Sequence, residues 1–161
     1  MINTKPIHLL IRFSDNLFKV GDVIYMHNEV INRQGAVWFG KLGTPIAQRH
    51  IDKINFQCKD GIPSFLFLVK GNRRKSTFFK AGVLFLSLDF PSEEQQLIPQ
   101  YYFNKKITSQ IKFWAKLSDI SPLEPGELKM QKVAGSVLEI NETLFRSSSG
   151  HFIVQERIIR S

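Results

Sequence analysis

The sequence predicts an α+β fold, a small mixed β-barrel flanked by two or three short helices. Three observations lead there. Five to seven short segments are dense in β-branched and aromatic residues and are separated by turn clusters. Only a few intervening stretches carry helical spacing, and they are short. No internal repeat, heptad or break in composition divides the chain, so residues 1–161 read as a single domain. A small sheet of this kind manages its edges by closing on itself.

The elements follow in order. Ile7–Phe13 is the first strand, apolar apart from His8 and Arg12, and Ser14-Asp15-Asn16 turns the chain. Residues 20–25 read as a Gly-Asp turn feeding a short β run. Residues 27–33 can make two helical turns, which Gly35 is placed to end. Residues 36–43 (Ala-Val-Trp-Phe-Gly-Lys-Leu-Gly) form the strand around which the rest is organised. Trp38 and Phe39 must there face opposite sides. Gly40, after the aromatic pair, marks a bulge or a close approach to the backbone. Pro45 opens a helix running to about Gln57. Ile46, Ala47, His50, Ile51 and Ile54 share one face of it, and Arg49, Asp52 and Lys53 fall on the other.

Lys59-Asp60-Gly61 is a turn. Residues 63–69 and 77–90 are strands joined by an exposed basic connection, and the unbroken apolar run 65–69 implies cover on both faces. Residues 81–88 read as buried strand. Residues 91–99 are acidic and polar, a surface loop or short helix. The second tryptophan strand occupies residues 111–120 and is stopped by Pro122 and Pro125. One helical turn over residues 128–133, a segment at 137–140 and a last strand at 151–154 complete the chain.

Composition narrows the function. Lys and Arg number 22 against 14 Asp and Glu, a formal charge of +8 that favours a polyanionic partner, nucleic acid or an anionic membrane face. Phenylalanine supplies 14 of the aromatics, which a Phe-rich core accounts for. The single Cys58 excludes an intramolecular disulfide and a cysteine-built zinc site, and a reducing cytoplasm is its natural setting. No signal-peptide pattern is present, and no window approaches the ~20 apolar residues of a membrane span.

Two basic stretches suit phosphates: Lys70, Arg73, Arg74, Lys75 and Lys80, then Lys105, Lys106, Lys112 and Lys116. Aromatic neighbours strengthen that reading, with Tyr101 and Tyr102 as the exposed pair, because bases stack on exposed rings. The run containing Arg146 and Ser148 offers hydroxyls and backbone N–H groups to a phosphate, but no P-loop pattern occurs. Trp38 and Trp114 are candidates for a cage around an unpaired or methylated base. Signals for catalysis are poor. His27 and Glu29 stand two residues apart and do not share a helix face, and a serine nucleophile lacks its elbow. No catalytic residue, metal or cofactor is assigned.

Several stretches together resemble the PUA-like superfamily, and within it the EVE and YTH branch. Residues 19–25, with Lys19, Gly21 and Asp22, are similar to the entry to an early barrel strand, and residues 36–43 to the strand that follows. Residues 113–123 resemble the late strand ending in a Pro-Leu corner at Pro122-Leu123. Leu128-Lys129-Met130 and Ser136-Val137-Leu138 resemble the elements that close the pocket. The tryptophan and Lys-x-Glu-Pro opening of EVE domains is absent, and residues 91–102 have no counterpart.

The resemblance implies a β-barrel that binds DNA or RNA and takes a flipped or single-stranded, sometimes modified, base into an aromatic pocket. Trp38 and Trp114 would stand at its mouth, with Asp22, Tyr25 and His27 below. It further implies a target-recognition module of a restriction or other defence system, working with a larger effector protein. Two other classes stay open: a protein–protein interaction module with a basic face, and a small nuclease acting on nucleotides.

Overall fold

A computed structural model describes residues 5–14, 22–43, 45–71, 76–124, 127, 131–133 and 151–156. Seven strands and three α-helices follow in the order β1 (Ile7–Phe13), α1 (Val23–Gln34), β2 (Val37–Lys41), α2 (Gln48–Lys59), β3 (Phe65–Gly71), β4 (Ser76–Ser87), α3 (Tyr101–Asn104), β5 (Phe113–Pro122), β6 (Gln131–Val133) and β7 (His151–Glu156). Short 3₁₀ turns at Ser92–Leu97 and Thr108–Gln110 flank α3. The strands make one mixed sheet in the order β2-β5-β4-β3-β1-β7-β6. Among the described residues only β1 and β3 run parallel.

That order corrects the expected barrel. Among the described residues no ladder joins β2 to β6 or to β1, so β2 keeps a free edge. The sheet nevertheless curls hard. Phe13 at the end of β1 reaches Phe39 on β2, four strands away, with ring centroids 6.3 Å apart. The curl encloses the main core, built from Leu9, Ile11, Leu66, Leu68, Ala81, Phe113, Ala115 and Leu117 and capped by Val23, Val30, Ile51 and Ile54 of α1 and α2. The other face is buried as well. Leu10, Phe67, Val69 and Val154 pack together on one half of it. On the other half, Trp38 and Trp114 lie under Leu97, Ile98, Tyr102, Ile107 and Ile111. The apolar run in β3 is therefore covered on both sides, as its lack of alternation predicts.

Two local expectations give way. Val23–Tyr25 is the first turn of α1, not a β run. Asp22 caps it, its Oδ1 accepting from the Tyr25 N–H at 3.0 Å. Val23, Ile24, His27 and Val30 all turn inward, and burying that face outweighs the β preference of its valines and isoleucine. At the other end, Gly35 closes the helix in the left-handed conformation (φ 86°), donating to Ile31 O at 2.7 Å. Residues 131–133 pair with β7 as a strand and are not helical. The segments 137–140 and 144–150 lie outside the described residues.

Strand β4 carries the third correction. Its register against β5 shifts between Val83 and Phe85, which makes Leu84 an extra residue. Val83 and Leu86 then face the core, while Leu84 and Phe85 both turn to solvent, 45 % and 48 % exposed. The expected buried run over residues 81–88 is broken at that bulge.

Candidate functional site

A half-open cavity of about 90 Å³ lies at the free edge of β2. Four rings line it: Phe13 from β1, Phe39 from β2, and Tyr101 and Tyr102 from α3. Arg12 and Lys41 add two cations. Lys41 Nζ donates to Leu42 O, and partial burial pushes its ammonium below the usual range. The two tyrosine rings are stacked, 4.4 Å between centroids at 22°.

A buried hydrogen-bond chain fixes this wall. His27 Nδ1 lies 2.7 Å from Val23 O, and a carbonyl only accepts, so Nδ1 carries the proton and donates. Nε2 then accepts from the Tyr102 hydroxyl at 3.1 Å, and the same hydroxyl accepts from the Gly40 N–H at 2.9 Å. Burial holds His27 neutral, its pKa lowered to about 4, and pushes Tyr102 up to about 12. One relay thus ties α1, α3 and the edge strand together.

The close approach expected at Gly40 is internal. A Cβ there would meet three side-chain atoms of Ile111 at 3.0 Å, and the Tyr102 hydroxyl occupies its N–H.

The sequence-predicted pocket residues do not converge as expected. Trp38 and Trp114 share a cluster but are 3 % and 1 % exposed, so both rings are packed faces of the core. Asp22 is the α1 cap, and Tyr25 stands in solvent beside Glu29. Only His27 of that set reaches the cavity wall, through Tyr102. Tyr102, expected exposed, is the buried member of its pair. The sequence does not single out its neighbours Arg12, Phe13 and Lys41, which line the cavity. Their sole sequence signal is an aromatic beside a cation near a strand end, too common to single out.

The basic residues divide. Lys70, half-buried, pairs with Phe13 one residue before β3 ends, which puts it at the cavity's side of β1. Lys80 lies 4.1 Å from the Phe65 ring centroid and 3.9 Å from Glu127, on the sheet's opposite face. Lys105 and Lys106 are exposed just after α3. Lys116 is held by Glu94 at 2.7 Å. Arg73, Arg74, Lys75, Arg146 and Ser148 lie outside the described residues. Among the described residues, no three His, Cys, Asp or Glu side chains gather as metal ligands, and no helix is long and apolar enough to cross a membrane.

A family model described as Pua-like matches residues 9–159. The chain belongs to the Pua-like family. No curated protein and no solved structure matches it. The match spans every strand of the Pua-like sheet except the first two residues of β1. It therefore includes both β2 and the α3 segment that wall the cavity.

Proposed function

We propose that this Pua-like domain binds nucleic acid by holding one unpaired base against the rings at the edge of β2. Pua-like domains commonly bind nucleic acids. The observation that carries the reading here is the convergence of four aromatic rings and two cations on one cavity. Stacking on a ring is sequence-tolerant and supplies affinity, while a cation beside it takes the phosphate. The cavity's about 90 Å³ is small beside the roughly 300–1,000 Å³ of pockets that swallow a drug-sized ligand. It suits the edge of one base rather than a whole nucleotide. Lys70 pairs with the cavity residue Phe13 on the neighbouring strand, and Arg73, Arg74 and Lys75 come after it in sequence, beyond Gly71 and Asn72.

The finer reading is an EVE- or YTH-like domain. It would recognise a modified base, DNA or RNA, as the target-recognition part of a restriction or defence system with a larger effector. That reading rests on this same cavity. The test is binding of short single-stranded oligonucleotides, with and without a methylated base, across a salt series. Tyr101→Ala should cost roughly five- to 150-fold in affinity, the range of one stacked base. Lys41→Ala should weaken all oligonucleotides alike and reduce the salt slope by about one phosphate. Parent affinity that ignores salt, or that survives Tyr101→Ala, would sink the proposal.

A further inference from the structure

A second concavity, about 350 Å³, opens on the outer face of β2, β5 and β4. Its floor is a cross-strand row. Trp38 pairs with Lys116, and Lys116 pairs with Phe85 on the next strand. Phe85 meets the Trp38 ring edge-on at 6.5 Å. Phe90, 38 % exposed, forms one wall, and Glu93 and Glu94 form the rim. The Trp38 Nε1–H is buried with no hydrogen-bond partner.

The electrostatics of this groove run against the rest of the molecule. The chain carries +8 overall, yet Asp89, Glu93 and Glu94 stand within six residues of one another beside half-exposed phenylalanines. The cation at its floor, Lys116, is paired with Glu94, so Asp89 and Glu93 carry the excess negative charge beside the groove. A phosphate chain would be repelled here, and a basic side chain with an apolar stem would be drawn in. The protein already contains one such contact. The Lys116 ammonium lies 6.0 Å from the Trp38 ring centroid and 2.7 Å from Glu94 Oε2, a lysine held between an aromatic face and a carboxylate.

We infer that this groove docks a basic polypeptide segment of a partner protein. A Lys or Arg stem lies along Phe85 and Phe90 over the buried Trp38 ring, and its head meets Glu93 at the rim beside the Lys116–Glu94 pair. The inference is independent of the base-binding cavity.

The test uses the ¹⁵N-labelled full chain, whose two tryptophans give two indole signals, with Trp38→Phe assigning them. The probes are the capped pentapeptides Gly-Lys-Phe-Lys-Gly and Gly-Glu-Phe-Glu-Gly. The basic peptide should move the Trp38 signal and leave Trp114 in place, and the acidic peptide should bind at least about tenfold more weakly. Glu93→Lys with Glu94→Lys should reverse that order, and Phe85→Ser should abolish binding by both. No movement at millimolar basic peptide, or equal binding of the two peptides, overturns the inference. A Trp38 signal that shifts with protein concentration alone assigns the groove to a second copy of the chain and overturns it too. So does one that shifts with a single-stranded oligonucleotide, which assigns it to nucleic acid.

Discussion

The two concavities share a strand and have opposite chemistry. Phe39 and Gly40 line the cavity at the edge of β2, while Trp38, the residue before them, lines the groove on its outer face. Alternation along five residues sends neighbours to different surfaces. Cations converge on the smaller, deeper space and carboxylates rim the larger, more open one. A net charge of +8 therefore averages over two surfaces that would select different partners. What separates them physically is residues 92–111, the 3₁₀ turns and α3, which bury the tryptophans and contribute a wall to each space.

The largest effect should come from breaking that shared wall. Trp114 packs 5.4 Å from Tyr102 of the cavity and 5.7 Å from Phe90 of the groove. Trp114→Ala should cost about 3–5 kcal/mol, a fall in Tm of roughly 6–20 °C for a domain of this size. Phe85→Ser, on the groove surface alone, should stay within about 0.5 kcal/mol. Thermal melts of the two variants check both values. A Trp114→Ala protein that melts with the parent would mean the ring is not core, and would return it to the list of stacking candidates.

The second effect separates the two regions by pH. His27, ordinarily near 6.5, is held near 4 by burial and serves the cavity wall only. The unfolded chain takes up that proton first as pH falls, so stability is full above about 6.5 and declines on the way to about 4. The loss approaches about 3 kcal/mol for this one group. His8, also lowered to about 4 and accepting from the Phe65 N–H at 3.2 Å, adds a decline of the same sign. Denaturant melts at pH 7 and 4.5 should therefore differ less for His27→Gln than for the parent. An equal difference would show that His27 titrates normally and that the relay is not as described.

These contrasts also show what was legible in the sequence. Strands β1, β3 and β5 are legible because they are dense in apolar and aromatic residues and bounded by turn residues, and Gly35 marks the end of α1. The start of α1 was hidden because Val23 and Ile24 favour strands locally, and only Asp22's cap and the tertiary core decide for helix. The bulge at Leu84 left no turn residue to announce it; it follows from the pairing of β4 with β5. The curl that brings Phe13 to Phe39 spans four strands, so no local pattern could have assembled the cavity. The tryptophans drew notice by rarity, which signals size and not exposure. Residues 91–99 read as a polar surface loop or short helix, yet Leu97 and Ile98 of that stretch are buried. A few well-spaced apolar side chains among charges are enough to anchor a cover.

The smallest of these effects is also the sharpest for the comparison. Gly40 sits in the edge strand with its N–H bound by the Tyr102 hydroxyl, and Ile111 side-chain atoms lie 3.0 Å from where a Cβ would stand. Gly40→Ala must push Ile111 away, and overpacking of this kind costs about 1–3 kcal/mol. Ile111 and Tyr102 belong to the same cluster, so the displacement reaches the tyrosine stack and the relay to His27. The groove is affected less, because neither Gly40 nor Ile111 lines it and only Trp38 of its lining shares their cluster. Oligonucleotide binding should therefore weaken several-fold while the Trp38 indole signal still responds to the basic pentapeptide. Equal loss of both activities would show that the cavity and the groove are one coupled surface. Retention of both would show that Ile111 yields without moving Tyr102, and that the cavity wall is softer than its hydrogen bonds suggest.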